Sequence, residues 1–207
     1  MLSVICPVRS LDQCVEVLGH VPPGAGELLL QAGTGIGHAR NAGARRAKGD
    51  VFLLIDDDVV IQGDLGWFDT RPPDENWWVA SKWSTATEDS YTAGICVFLN
   101  FQASLGLMGA SVGSFQPMRR AAFEAVGGYA EDSVQDDMDM AGRLYRAFGP
   151  PTPAPFAVVI LRRTVTMPEH WKRHAARGPV SEGPFRRLVP VTRASAGSGS
   201  SAAPSSG

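Results

Sequence analysis

Val51-Phe52-Leu53-Leu54-Ile55 runs without a spacer into Asp56-Asp57-Asp58, and that junction constrains the fold more than any other stretch of the chain. Five consecutive apolar residues offer no polar face to water, so they suit a strand covered on both sides, as in a parallel sheet between helices. Three adjacent carboxylates repel one another and need compensation from a cation, hydrogen bonds or solvent. A buried strand that stops at such a triplet puts the acids at the carboxyl edge of the sheet, where open α/β sheets bind ligands. An acidic turn or helix cap would also carry three aspartates, and from the triplet alone both readings stand.

The flanking pattern alternates strands with helices. Leu2 to Cys6 is a short apolar run ending in Pro7, and a helix is expected from Ser10, as N-cap, to Leu18, with Leu11, Cys14, Val15 and Leu18 at helical spacing. After the turn-rich Pro22 to Gly26, Glu27 to Leu30 reads as a second strand. Gly33-Thr34-Gly35-Ile36-Gly37 leads into a helix over His38 to Lys48, stopped by Gly49, whose small residues Ala39, Ala42, Ala44 and Ala47 permit close packing on a sheet. A loop rich in Trp, Pro and Asp spans Gly66 to Trp83. Further on, Gly109 to Met118 reads as extended, Arg119 to Val126 and Asp136 to Phe148 as helices, and Ala157 to Val165 as a last strand. The expected architecture is an α/β sandwich around a mainly parallel central sheet. At 207 residues the chain suits one domain, expected over 1–193, with a Ser/Ala/Gly-rich tail over 194–207.

Charge and cysteine content narrow the function. A formal net charge of -2 removes the broad electrostatic case for nucleic-acid binding, while a small anionic ligand held through a metal stays compatible. Cys6, Cys14 and Cys96 are widely spaced with no CxxC pair, and the N-terminus lacks a signal-peptide pattern, so a cytoplasmic location is expected. The longest apolar stretch, Ala93 to Gly113, is broken by Asn100, Gln102 and several Gly and Ser. It is a poor membrane span, though it leaves room for peripheral membrane contact.

Four segments carry candidate chemistry. Hard cations such as Mg²⁺ or Mn²⁺ take oxygen ligands and combine carboxylates with substrate phosphates, which fits Asp56 to Asp58. In Gly37-His38-Ala39-Arg40-Asn41-Ala42-Gly43, Arg40 offers a phosphate or base contact, or a pair to a nearby carboxylate, and Asn41 a tie between loops. Gln135-Asp136-Asp137-Met138-Asp139 opens a helix, whose dipole keeps carboxylates ionised, as caps or as a general base. His170 and His174 follow the last strand in a basic stretch with Lys172, Arg173 and Arg177, and a lone His is more often structural than a metal ligand. Trp67, Trp77, Trp78 and Trp83 either stack on a sugar or acceptor or simply pin the loop down. Tyr91 to Gly109 is expected to shape the acceptor side.

In this order, the opening strand SVICPVRS, the segment GIGHARNAGARRAKGD leading to VFLLIDDDVV, and FQPMRRAAFEAVGGYAEDSVQDDMDMAGRLYRAFG resemble the GT-A fold of glycosyltransferase family 2. The resemblance covers about Leu2 to Gly149 with gaps, and the ordered combination is far more specific than any one motif. It implies a single Rossmann-like GT-A domain, with Asp56 and Asp58 as the two acids of a DxD motif. Asp58 is then the better metal ligand, Asp56 the second and nearer the ribose or sugar, and Asp57 an adjacent donor-site residue. Asp137 matches the second acid of the family's ED motif, the catalytic base in inverting members, and Arg40 lies in an ARN segment near the nucleotide. Pro7 and Arg9 fall where the first strand's loop lines the base pocket, and His170 resembles a metal-binding His of some GT-A enzymes.

Departures from the family pattern are equally specific. Gln31 stands where an Asp usually contacts the nucleobase, and Asp136 replaces the usual Glu before the base. The segment between Gln31 and the ARN helix is short, so a third strand of the nucleotide half is expected to be missing or merged. No QxxRW segment follows, against a processive polysaccharide synthase. The resemblance implies an inverting transferase dependent on Mn²⁺ or Mg²⁺, moving a sugar from a nucleotide-diphosphate sugar to an acceptor hydroxyl. The rival readings are a degenerate, non-catalytic GT-A module that holds a nucleotide or a protein, and a nucleotidyltransferase.

Overall fold

The computed structural model describes residues 1–8, 25–32, 35–57, 59–72, 75–86, 88, 90–107, 115–133 and 135–160. The helix expected over Ser10 to Leu18, the residues Arg9, Asp58, His170 and His174, and the tail lie outside them.

In chain order the strands are β1 (Leu2–Val8), β2 (Glu27–Ala32), β3 (Val51–Ile55), β4 (Val59–Gln62), β5 (Val79–Thr85), β6 (Phe115–Arg119) and β7 (Thr152–Ile160). The helices are α1 (Ile36–Arg46), α2 (Ser90–Ser104), α3 (Arg120–Ala125) and α4 (Asp136–Phe148). The central sheet runs β2-β1-β3-β6, with β1 parallel to both β2 and β3, and β6 antiparallel to β3. A mainly parallel sheet flanked by helices is thus observed.

Every residue of β3 is buried, because the sheet is covered on both faces. Phe52 and Leu54 point toward Ile5, Met118, Phe123, Met140, Ala141 and Leu144, the side occupied by α3 and α4. Val51, Leu53 and Ile55 point to the opposite side, against Val4, Cys6, Trp77, Trp83 and Phe156. Burial of an aliphatic or aromatic side chain contributes roughly 1.5–3 kcal/mol. A charge anywhere in Val51 to Ile55 would therefore break the sheet's centre rather than one edge. Helix α1 lies against β1 and β2, and a Cβ added at Gly43 would sit 2.5 Å from Ile5 Cγ2. Only hydrogen fits at that contact, which is the role the small residues of this helix imply.

A second sheet, ordered β4-β7-β5, adjoins the first through a bridge between Trp78 and Met118. The expected Trp-rich loop contains a 3-10 turn at Leu65–Thr70 and the strand β5. Trp77, Trp78 and Trp83 are buried, and Trp67 packs edge-on against Phe68, Trp77 and Phe156. The indoles hold this region onto the core. The last strand begins earlier than its Val/Ile run, at Thr152, and takes in Pro153 and Pro155. Proline supplies no ladder N–H. Both prolines precede the part of β7 paired with β4, Ala157 to Ile160, and flank a register shift against β5.

Candidate active site

Asp56 and Asp57 follow β3 directly, half-buried. Facing them, α4 opens with Asp136, Asp137 and Asp139 in its first turn, beginning after Gln135, which makes no side-chain cap. Arg40, near the start of α1, joins the two groups. Its Nη2 donates to Asp56 Oδ1 at 2.8 Å and its Nη1 to Asp136 Oδ2 at 2.9 Å. The guanidinium is nearly closed off from solvent, with 3% of its side chain exposed, against 29% for Asp56 and 9% for Asp136.

This is a buried cation spanning two anions, one from each acidic segment. A guanidinium's fixed fork presents separate N–H groups in different directions, so it can serve two carboxylates that a lysine would serve only one at a time. The Asp136 carboxyl is pushed above its usual range by burial, against the opposing pull of Arg40. Burial works to discharge Arg40 as well, but Asp56 leads a set of neighbours that hold its pKa above the ordinary value. Gly37 makes the approach of α1 to α4 feasible, since a Cβ there would lie 2.8 Å from the Ala130 carbonyl and 3.3 Å from Asp136 Oδ2.

A second layer fixes these groups. The ring of Tyr129 lies 5.0 Å from the Arg40 guanidinium, a cation-π contact. Its hydroxyl donates to Gln116 Oε1, and Gln116 Nε2 donates to the main-chain carbonyl of Asp137 at 3.3 Å. Full burial drives the Tyr129 phenol far above its normal pKa, keeping it a neutral donor. Asn41, next to Arg40, accepts from Tyr129 N–H at 2.8 Å and donates to Tyr129 C=O at 2.9 Å and to Glu131 Oε1 at 2.9 Å. It ties α1 to the loop that presents Tyr129, as its place in the ARN segment suggested. Gln116 and Tyr129 were not assigned roles from sequence. A glutamine inside the apolar strand FQPM was the available signal, since a buried amide must find partners.

Asp137 itself is half-buried. Its Oδ1 accepts from Met138 N–H at 2.8 Å, within the first turn of α4. At the other end of the site, Pro7 and Gln31 are register partners on the parallel strands β1 and β2. Gln31 Nε2 donates to the Ala32 carbonyl and its Oε1 accepts from Arg46, both at 2.9 Å. The structure therefore brings Arg40, Asp56, Asp136 and Asp137 together, and sets Pro7 beside Gln31 at the carboxyl ends of their strands. Asp56 and Asp57 supply oxygen donors only, the chemistry that suits Mg²⁺ or Mn²⁺ rather than a softer metal. Among the described residues, no three His, Cys, Asp or Glu side chains converge as a ready-made metal cage.

Comparison with known proteins places this geometry. The family model described as Glycosyl transferase family 2 matches residues 10–127, more than half of the chain. No curated protein matches the sequence. Similar solved structures include a mycobacterial protein, with 12% identity and a TM-score of 0.56 over 82% of this chain and 70% of that one. A mannosyltransferase from Pyrobaculum calidifontis, in complex with GDP-Man and Mn²⁺, shows 14% identity and a TM-score of 0.50 over 83% of this chain and 59% of that one. S. aureus TarS, in complex with UDP-GlcNAc, shows 14% identity and a TM-score of 0.56 over 82% of this chain and 60% of that one. This chain thus spans less than two thirds of the length of the last two. At these identities the likeness is one of fold.

Proposed function

Because the chain belongs to glycosyl transferase family 2 and carries its GT-A fold, we propose that it transfers a sugar, with inversion, from a nucleotide-diphosphate sugar to an acceptor hydroxyl. The observation that carries this reading is the Arg40 bridge: one buried cation sets the acid at the end of β3 against the acids that open α4. Two acidic segments far apart in sequence are thereby held at a fixed spacing, the donor side on β3 and the acceptor side on α4. Pro7, Arg9 and Gln31 line the nucleobase end, and the neutral amide of Gln31 offers the base both a donor and an acceptor.

Asp56, Asp58 and His170 are the residues proposed to hold Mn²⁺ or Mg²⁺, with Asp57 beside them at the donor. When bound, the ion supplies Lewis-acid stabilisation of the leaving diphosphate. Asp137 takes the proton of the acceptor hydroxyl, whose oxygen forms the bond to the anomeric carbon as the bond from that carbon to the diphosphate oxygen breaks. The diphosphate leaves with the electron pair. Hydrogen bonds to the Asp137 main chain, from Gln116, and to its carboxylate, from Met138 N–H, fix that base in place. Arg40 reaches the nucleotide only through Asp56, as a residue that positions the acids rather than one that grips phosphate. A cytoplasmic setting accords with the free, buried thiols of Cys6 and Cys96.

The test is a thermal-shift screen of UDP, GDP, TDP and CDP with Mn²⁺ or Mg²⁺, followed by donor hydrolysis and transfer by wild type and Asp137→Asn. A metal-dependent shift for one base names the donor class. Asp137→Asn should keep that shift and lose about 10²–10⁴-fold in turnover, the usual range for general-base catalysis. Near-normal turnover would sink the assignment of Asp137, and the absence of any shift or hydrolysis would favour the non-catalytic module.

A further inference from the structure

From Ser90 to Met118 the sequence contains no Asp, Glu, Lys, Arg or His. Most of that stretch is α2 and the turn that ends it. The inward side of α2 is fixed on the sheet: Thr92, Cys96 and Leu99 are buried. The Asn100 amide accepts from Trp83 N–H at 2.8 Å and donates to Trp83 C=O at 2.7 Å, so that it stands in for a strand along the edge of β5. The outward side is apolar and open. Val97 is 70% exposed, Phe98 57%, Phe101 59% and Leu105 56%, with Tyr91 and Leu107 also exposed. These make up six of the nine exposed large hydrophobic residues among those described. Val97, Phe98, Phe101 and Leu105 project from one face at the helical repeat.

We propose that this face docks on a bilayer containing anionic lipid. Large exposed apolar patches mark interaction sites, and what surrounds this one favours lipid over protein. A protein partner is held in register by charges and hydrogen bonds at its rim, and α2 offers no charged side chain for that purpose. A bilayer requires no register. Its headgroups would meet positive charge where α2 begins, because the carbonyl of Ile160 accepts from Ala86 N–H at 2.9 Å, four positions before Ser90. The chain continues from there as Leu161-Arg162-Arg163, and Lys172, Arg173 and Arg177 follow. At about 3.3–3.6 Å per residue, Arg162 and Arg163 stay within roughly 11 Å of Ile160. With exposed Lys82 on β5, basic residues in these two segments outnumber the acids Glu88, Asp89 and Glu169. The 15 residues of α2 measure about 22 Å at 1.5 Å each, short of the roughly 30 Å hydrocarbon layer. The helix would lie in the interface rather than cross it.

The test is co-sedimentation of the full chain with phosphatidylcholine vesicles, with and without one fifth phosphatidylserine. Wild type should bind the anionic vesicles, more weakly in high salt, and Phe98→Glu/Phe101→Glu should lower the bound fraction at least tenfold. The double variant should keep the wild-type melting temperature and nucleotide-induced shift, because neither ring belongs to the site or the core. No binding to either vesicle, or undiminished binding of the double variant, would overturn the proposal. So would a wild-type dimer that these substitutions dissociate, which would make the face a contact between copies.

Discussion

Replacing Arg40 by methionine keeps much of its length and removes both of its ionic arms. What remains is Asp136, whose side chain is 9% exposed, and Asp56, 29% exposed, facing each other without the cation between them. Deleting one partner of a buried ion pair costs about 3–5 kcal/mol, because the other charge stays buried and uncompensated. The arm to Asp56 is closer to solvent and adds at most about 1 kcal/mol, so Asp136 should dominate a total near 4 kcal/mol. For a chain of this size that lowers the melting temperature by roughly 8–16 °C. The loss should depend on pH with a definite sign. Burial already raises the folded-state pKa of Asp136 above its model value of 3.8, and removing Arg40 raises it further. The penalty is therefore fully present near neutral pH and shrinks as acid protonates Asp136 in the folded state. Urea unfolding of wild type, Arg40→Met, Asp136→Asn and the double variant, at neutral and mildly acidic pH, measures all of this. The double variant should recover part of the single-variant loss through a coupling of about 1–3 kcal/mol. If Arg40→Met unfolds within about 1 kcal/mol of wild type, or the two substitutions simply add, Arg40 is not what joins the acidic segments.

Other perturbations probe other joints of the structure. Asn41→Ala strips Tyr129 N–H and C=O of a side-chain partner and should cost about 1–3 kcal/mol in urea melts; a neutral result would mean water substitutes for the amide. Glu27 accepts from Lys48 N–H and the Ser3 hydroxyl, which hold its folded pKa below the model value of 4.5. Its contribution is present above that value and lost as pH falls through the folded pKa, so Glu27→Gln should flatten the acid limb of the stability curve, and an unchanged limb would remove Glu27 from it. Asn100→Leu should speed amide exchange at Trp83, because the side chain that caps that edge position is gone; unaltered protection would show that α2 shields the edge without it. Gly43→Val places a side chain against Ile5 and should cost about 1–3 kcal/mol by overpacking, with calorimetry as the check and a wild-type melting temperature as the refutation.

Much of the fold was legible from local pattern. The unbroken apolar run Val51 to Ile55 specified a strand buried on both faces, and it is one. Asp136 to Phe148, with acids in its first turn and Gly149 after its last, specified α4 to the residue. What failed was non-local. The strand β7 was obscured by Pro153 and Pro155, which are tolerated where the ladder is interrupted, and β5 by the tryptophans that suggested a loop. Their partners lie up to about 75 positions away, as Thr85 and Ile160 show, and no window of sequence reports such a pairing.

The candidate site divides the same way. The sequence by itself determined which residue types were on hand: acids after a buried strand, acids opening a helix, and an arginine and asparagine in a helix thin enough to lie close to the sheet. It left open whether Arg40 would face a phosphate or a carboxylate. Only the tertiary structure decided that, by burying the guanidinium between Asp56 and Asp136, 16 and 96 positions away. The physical reason is that a charge taken out of water must be neutralised by whatever the fold brings beside it. Sequence spacing supplies the charge, and only the packing of α1 between β3 and α4 supplies its partners.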